Sequence, residues 1–353
     1  MIWTGLDIAT ALSQALEQRV ASGSVFFLCS QRTQTLCDEL IELAEIQVTP
    51  NQILSLPDGE LAKNLAACER VYEWLQKQGA QRDALLINVG GGALCDIGGF
   101  CGATYMRGIA FWNIPTTLLA MVDAAVGGKN GINLGHHKNY IGTFQEAEKV
   151  FVAPRWLNTL PASELLSGWA EVIKHGILSG GKKHLQILKP IPPIHDQQQW
   201  LDILEWNIKV KSRIVEADFK ESGSRKLLNL GHTIGHALES WSLDMKRPIS
   251  HGCAVAWGLV IETFLAIAKS QSADETRRHH QEISELVKSL YPNVGYRSDD
   301  IPALMSYILA DKKNQQQELL FSLAFAPGDC AYNVMVAPEA VIDALKAFSD
   351  DPH

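Results

Sequence analysis

The chain has no apolar run approaching the roughly 18 residues that a membrane-crossing helix needs. Its opening Met1-Ile-Trp-Thr-Gly-Leu-Asp7 has no basic stretch leading into an apolar one. Neither a membrane span nor a secretory leader is expected, and the cytoplasm is the expected location. No CxxC pair occurs among the seven cysteines, an odd number scattered through 353 residues. That argues against a disulfide framework and against sulfur ligation of a metal, and the thiols read as reduced. Bases are outnumbered: 31 Lys and Arg against 39 Asp and Glu leave a formal net charge of -8. Nucleic acid is therefore not expected as a partner, although a few converging bases still suffice to hold a small anion. Internal repeats and low-complexity tracts are lacking too, and Pro190-Ile-Pro-Pro193 reads as a surface turn.

What is present is a globular composition, 46% apolar and 20% charged, on a chain too long for one simple core. Two domains are expected. In the first half, short apolar runs alternate with helical periods. Val25–Cys29, Ala84–Val89 and Gly108–Ile114 read as buried parallel strands, the last stopped by Pro115. Thr33–Leu43, Gly59–Gln78 and Leu94–Ala103 read as helices between them. This alternation predicts an α/β, Rossmann-like doubly wound domain over residues 1–158. From about Leu160 long helical stretches dominate, at 163–179, 198–215, 228–242, 251–270 and 275–291, with Ser163 as a cap. Residues 159–353 are thus expected to form a mainly α-helical domain, with a brief strand at Glu318–Leu323.

The chemistry concentrates in a few segments. Gly90-Gly91-Gly92 falls between a predicted strand and helix, where an open sheet binds its ligand. Glycines let a phosphate approach the backbone, and the helix N-terminus favours negative charge. The same triplet also reads as a plain tight turn. Asp123-Ala-Ala-Val-Gly127-Gly128-Lys129, with Lys138-Asn139 soon after, reads as a polar anion-holding loop, with a plain solvated loop as the alternative. Glu171 and Lys174 are i,i+3 neighbours on a predicted helix. His232 and His236 stand four apart, and His251 follows in a separate segment. Imidazole and carboxylate suit zinc, with three protein ligands leaving one position open. The helical spacing makes His232 and His236 a candidate ligand pair. One ligand with one polar neighbour fits equally well, and spacing does not decide between them.

Taken in order, these segments resemble the 3-dehydroquinate synthase family over nearly the whole chain. The resemblance rests on Gly90-Gly-Gly-Ala-Leu-Cys-Asp96, Ala103-Thr-Tyr-Met-Arg107-Gly, Pro115-Thr116-Thr117, Val126-Gly-Gly-Lys129, Lys138-Asn139, Ala170-Glu171-Val-Ile-Lys174, Asn229-Leu-Gly-His232-Thr-Ile-Gly-His236, His251-Gly and Asp311-Lys312-Lys313-Asn314. It implies NAD as a recycled cofactor and a divalent ion, Zn2+ or Co2+, held by Glu171, His232 and His251, with His236 facing substrate instead. It implies catalytic roles for Lys129, Lys174, His236, Asn229 and Asp123. Arg107, Lys138, Asn139, Lys211, Arg225 and one of Lys312 or Lys313 would bind the sugar phosphate, and Arg107 would reach across a homodimer. Glu60, Lys63, Gly90, Gly91, Gly92, Asp96, Thr116, Thr117, Thr159 and Glu164 would form the cofactor shell. The implied reaction takes 3-deoxy-D-arabino-heptulosonate 7-phosphate to 3-dehydroquinate and phosphate in the shikimate pathway. It proceeds by oxidation, β-elimination of phosphate, reduction, ring opening and intramolecular aldol closure.

Three positions depart from the family pattern. Cys253 replaces a common Glu after His251-Gly, Asp218-Phe219 replaces an Asp-Glu pair, and Ser30-Gln31-Arg32 replaces an acid expected at the strand end that reads the adenine ribose. Loss of that acid beside Arg32 leaves NAD and NADP both open. The competing readings are an inosose- or valiolone-forming cyclase and a metal-dependent alcohol or glycerol dehydrogenase. Lys211, Arg225 and Asn229 together suit a carboxylate, which favours the dehydroquinate synthase reading. A binding-only paralogue would be expected to have lost its ligands, whereas Glu171, His232 and His251 all remain.

Overall fold

A computed structural model describes residues 1–19, 24–135, 137–310 and 319–350. They form two compact units, one of Met1–Pro161 with Pro192–Lys209 and one of Ala162–Ile191 with Val210–His353.

The first unit runs β1 (Ile2–Thr4), α1 (Ile8–Glu17), β2 (Val25–Ser30), α2 (Gln34–Leu43), β3 (Ile53–Leu56), α3 (Leu65–Lys77), β4 (Leu85–Gly90), α4 (Gly92–Thr104), β5 (Ala110–Pro115), β6 (Lys129–Leu134), β7 (His137–Phe144) and β8 (Lys149–Val152). Six strands make one parallel sheet in the order β1-β8-β5-β4-β2-β3. Every residue of β4 is buried, as a strand covered on both faces requires. β6 and β7 pair separately as an antiparallel ribbon. Phe26, Leu28, Leu86, Ile97, Phe111 and Ile132 lie in one core cluster, which joins sheet, α4 and ribbon.

The helix expected over Gly59–Gln78 is broken. Gly59–Ala62 forms a 3-10 turn, Lys63 is non-helical, and α3 starts after Asn64, whose side chain accepts from Ala67 N at 2.9 Å. An asparagine caps a helix better than it continues one, so local hydrogen bonding overrides the apolar period. The break leaves Lys63 buried rather than spread along a solvated helix face.

The second unit contains α5 (Ala162–Ser179), α6 (Gly181–Ile187), the end of α7 (Gln197–Ala217), α8 (His232–Asp244), α9 (His251–Ile267), α10 (Ala273–Leu290), α11 (Ile301–Ala310), β9 (Leu319–Ala326), β10 (Asp329–Val336) and α12 (Pro338–Ala347). The hairpin β9–β10 is longer than the strand expected from sequence. The helix expected from 228 starts only at His232. Ser224–Asn229 is a 3-10 turn, and Gly231 stops it in the left-handed region at φ +77. α9 is buried on all sides between Gly252 and Thr263, in keeping with its nearly unbroken apolar sequence.

Glycines let α8 and α9 meet backbone to backbone. A Cβ on Gly258 would lie 1.9 Å from the Gly231 carbonyl oxygen, and one on Gly235 would lie 3.1 Å from that of Ala254. Helix propensity alone favours alanine over glycine by about 1 kcal/mol, whereas overpacking against a fixed backbone costs about 1–3 kcal/mol. Gly258→Ala is therefore expected to destabilise the protein, read as a lower midpoint in urea unfolding. A raised midpoint would show that α8 and α9 do not approach this closely.

Candidate active site

In the first unit the glycine triplet closes β4 and opens α4. A Cβ on Gly90 would strike the Leu94 side chain at 2.5 Å, and one on Gly91 or Gly92 would meet Thr117 Cγ2 at 3.2 Å or Ala124 Cβ at 3.0 Å. Thr116 N donates to Gly90 O at 2.9 Å, and Thr117 Oγ1 accepts from Ala120 N at 3.2 Å. Leu94, Thr117 and Ala124 thus leave no room for side chains on the triplet, and the strand end and the N-terminus of α4 come together as backbone, an arrangement that fits a dinucleotide phosphate.

Lys63 connects the residues expected around cofactor and phosphate. Its Nζ lies 2.5 Å from Asp96 Oδ2 and 2.5 Å from Asn139 Oδ1. Burial pushes the Asp96 carboxyl up to about 6, with the Lys63 ammonium opposing the rise. Asn133 donates to Glu60 Oε2 at 2.8 Å and accepts from Asn139 N at 2.9 Å, which fixes Asn139 at φ +51. Lys129 and Lys138 are exposed on the ribbon, behind the positive-φ pair Gly127 and Gly128. Asp123 is half-buried in the turn Ala120–Ala124. Arg107 is exposed in a turn where Met106 and Arg107 both take positive φ. Thr159 is exposed and donates to Trp156 O at 3.5 Å, and Glu164 is exposed in the first turn of α5. Lys312 and Lys313 lie outside the described residues.

An acid does stand beside Arg32, although it comes from the turn after β3 and not from the end of β2. Asp58 accepts from Arg32 N at 3.0 Å, and its second oxygen lies 3.8 Å from Arg32 Nε. This pairing was not visible in the linear sequence, where residues 32 and 58 lie far apart.

In the second unit Glu171, His232 and His251 converge. The Glu171 side chain is 0% exposed, with Oε1 3.5 Å from His232 Nε2 and 3.9 Å from His251 Nε2. One ligand atom from each residue falls within 4.8 Å of the others. Lys174 Nζ makes an ion pair with Glu171 Oε2 and donates to Leu228 O at 2.9 Å. Neither Glu171 oxygen accepts a hydrogen bond of ordinary geometry, so this buried carboxylate has capacity for a cation.

The outer contacts orient both imidazoles. Leu230 O lies 3.0 Å from His232 Nδ1, and a carbonyl only accepts, so Nδ1 carries the proton and Nε2 keeps its lone pair toward Glu171. Glu239 Oε2 lies 3.3 Å from His251 Nδ1 and sets the same tautomer there. Burial, then Lys174 and the two neighbouring histidines, hold His232 well below the usual imidazole range and therefore neutral. His236 sits with its ring centroid 5.3 Å from that of His232 and 6.1 Å from that of His251, outside the converging ligand atoms. The donor set of two imidazole nitrogens and one carboxylate fits a zinc-class ion.

Glu239 and Glu262 have no role in a linear reading. Glu262, on α9, accepts from Gly231 N at 2.6 Å and Ile234 N at 3.1 Å, capping α8 where Gly231 has no side chain to do so. Cys253 turns away from the cluster, with its thiol 3.7 Å from Pro292 O and raised to about 11 by burial. The outer-sphere carboxylate at His251 is therefore that of Glu239, three residues after His236.

The segment before His232 carries the anion-binding candidates. Arg225 is 2% exposed, with Nη1 donating to Phe219 O at 2.5 Å and its guanidinium 6.0 Å from the Phe219 ring. Asp218 accepts from the backbone amides of Ser222, Gly223 and Arg225, closing the loop around them. Its carboxyl is held down at about 2 because those amide bonds outweigh the desolvation that opposes them. Phe219, a departure from the family pattern, thus backs the guanidinium. Asn229 donates to Glu221 Oε1 at 2.7 Å, and Lys211 is buried on α7. Lys174 ties this segment to the metal cluster through Leu228 O.

The fold matches solved structures of two cyclase-type synthases and, at TM-score 0.69 and 17% identity, of an iron-containing alcohol dehydrogenase from Corynebacterium glutamicum, covering 99% of this chain and 95% of that one. The structure of 2-deoxy-scyllo-inosose synthase complexed with carbaglucose-6-phosphate, NAD+ and Co2+ matches at TM-score 0.84 and 21% identity, covering 98% of this chain and 96% of that one. ValA, a 2-epi-5-epi-valiolone synthase from Streptomyces hygroscopicus with NAD+ and Zn2+ bound, matches at TM-score 0.77 and 22% identity, covering 99% and 96%. The 3-dehydroquinate synthase N-terminal model matches residues 53–167 and the C-terminal model residues 168–314, and the chain belongs to that family. It is 37% identical to the 3-dehydroquinate synthase of Parabacteroides distasonis over 92% of this chain and 91% of that protein, and 34% identical to that of Leptospira interrogans over 95% and 92%.

Removing the carboxylate behind His251 tests the cluster without touching a ligand. Glu239→Gln is expected to weaken zinc binding by about 10–100-fold, read by competition with a chromophoric chelator. Unchanged affinity would show that Glu239 does not orient His251.

Proposed function

We propose that this chain converts 3-deoxy-D-arabino-heptulosonate 7-phosphate into 3-dehydroquinate and phosphate, using NAD and a divalent ion of the zinc or cobalt type. The observation that carries the proposal is the joining, through Lys174 and Leu228, of the Glu171–His232–His251 cluster to a segment holding a buried arginine. A neutral alcohol substrate offers such a guanidinium no charge to pair with. A substrate with both carboxylate and phosphate uses all the bases that the family motifs bring.

Glu171, His232 and His251 hold the ion, and the glycine triplet with Glu60, Lys63, Asp96, Thr116 and Thr117 holds the cofactor. When bound, NAD supplies a recyclable hydride acceptor and the ion supplies polarisation of the oxygen on the reacting carbon. Arg225 grips the carboxylate with a planar fork, backed by Phe219, with Lys211 and Asn229 beside it. Lys129, Lys138 and Asn139 take the phosphate. Elimination needs a proton removed from the carbon next to the oxidised position and two electrons accepted by the departing phosphate oxygen. Cations on that phosphate stabilise the charge it gains. His236, Asp123 and Lys174 hold the substrate hydroxyls and move their protons. Asp58 beside Arg32 supports NAD over NADP, since a 2′-phosphate would meet that carboxylate. The strained, exposed turn carrying Arg107 supports a homodimer in which each copy offers this arginine to the other's substrate.

Purified protein given NAD, zinc and the heptulosonate phosphate is expected to release phosphate with no lasting rise in reduced-cofactor absorbance. NADH accumulating in proportion to product would instead identify a dehydrogenase. Arg225→Lys should lower turnover of this substrate by about ten- to hundredfold, the loss of a charge-assisted contact of about 1.5–3 kcal/mol, with zinc content unchanged. If the wild-type protein cyclises glucose 6-phosphate or sedoheptulose 7-phosphate faster than the heptulosonate phosphate, the carboxylate reading is wrong.

A further inference from the structure

A second cluster of metal-type donors lies in the helical unit, on α6 and α10. His184 and His279 are 3% and 2% exposed, with ring centroids 5.3 Å apart in a T-shaped contact. His184 Nε2 lies 3.3 Å from Glu282 Oε2, and one ligand atom from each of the three residues falls within 4.8 Å of the others. His279 and Glu282 are i,i+3 neighbours on α10, so they share a face. Among the described residues, His184 Nδ1 and both ring nitrogens of His279 make no hydrogen bond. Buried polar groups of this kind ordinarily find a partner. The neighbouring His280 shows the ordinary alternative, with its Nδ1 3.1 Å from Thr263 Oγ1.

We infer that His184, His279 and Glu282 form a second metal site, for a zinc-class ion, that ties α6 to α10. Two imidazole nitrogens and one carboxylate oxygen suit zinc, cobalt or nickel and suit magnesium or calcium poorly. Glu282 is half-exposed, which leaves a route for the ion and for a water in the fourth position. None of these residues belongs to the catalytic set, so the site stands or falls independently of the proposed reaction.

The test uses the full chain, stripped with EDTA, reloaded with Zn2+ and desalted before elemental analysis. Wild-type protein is expected to hold about two ions per chain, His232→Ala about one, and Glu282→Gln about one with turnover unchanged. The combined His232→Ala, Glu282→Gln chain should hold almost none. Zn2+ should raise the Tm of His232→Ala and not that of the combined variant. Glu282 is half-exposed, so its replacement leaves the core intact, and His279→Gln serves as a second probe. About one ion in wild-type protein, or zinc content in His232→Ala that neither Glu282→Gln nor His279→Gln lowers, would overturn the site.

Discussion

A fully buried carboxylate, that of Glu171, organises the helical unit. Lys174 pairs with it, and the Nε2 atoms of His232 and His251 face it. Lys174 is itself buried, and beyond Glu171 it donates to Leu228 O. Such an arrangement is a weak source of stability, because desolvation offsets most of its Coulomb attraction. Its physical sense lies in what it holds ready, a set of donors with lone pairs already aimed at one point.

The helices around that point are placed to the same end. Gly231 and Gly258 bring α8 against α9 at backbone distance, and Glu262 on α9 caps the start of α8. Gly252 in turn packs on Ser167 of α5, where a Cβ would lie 2.1 Å from the Ser167 carbonyl oxygen, and its N–H donates to Ser167 Oγ. The three ligand-bearing helices are therefore fixed by contacts that admit no side chain between them. Candidate ligands held at two helix starts and in the middle of a third helix suffer little reorganisation when an ion or substrate arrives.

Much of this was legible in the sequence, because it depends on local pattern. Continuous apolar runs read correctly as the buried strands β2, β4 and β5, and Gly90-Gly91-Gly92 read correctly as the junction of β4 with α4. Helix-period reasoning failed where one residue's hydrogen bonding prevailed, at Asn64, which splits the helix expected over Gly59–Gln78, and at Gly231, which delays α8 to His232. That second failure bears on chemistry. With His232 as the first residue of its helix, its ring is fixed by Leu230 O, and spacing to His236 no longer identifies the ligand pair. The carboxylates Asp58, Glu239 and Glu262 were illegible for a different reason. Each meets its partner only through packing of elements that pair spacing cannot register, strand on strand for Asp58 and α8 on α9 for the others. The unused pair of buried histidines on α6 and α10 was equally invisible, since 184 and 279 share no motif.

The claim on which the account depends is that Glu171, His232 and His251, and not His236, hold the catalytic ion. Anomalous scattering from crystals of zinc-loaded protein at the zinc edge tests it most directly. The predicted result is a peak about 2.0–2.2 Å from His232 Nε2, His251 Nε2 and a Glu171 oxygen, with His236 outside coordination distance. A peak coordinated by His236, or no peak at Glu171 in zinc-loaded crystals, would contradict the account.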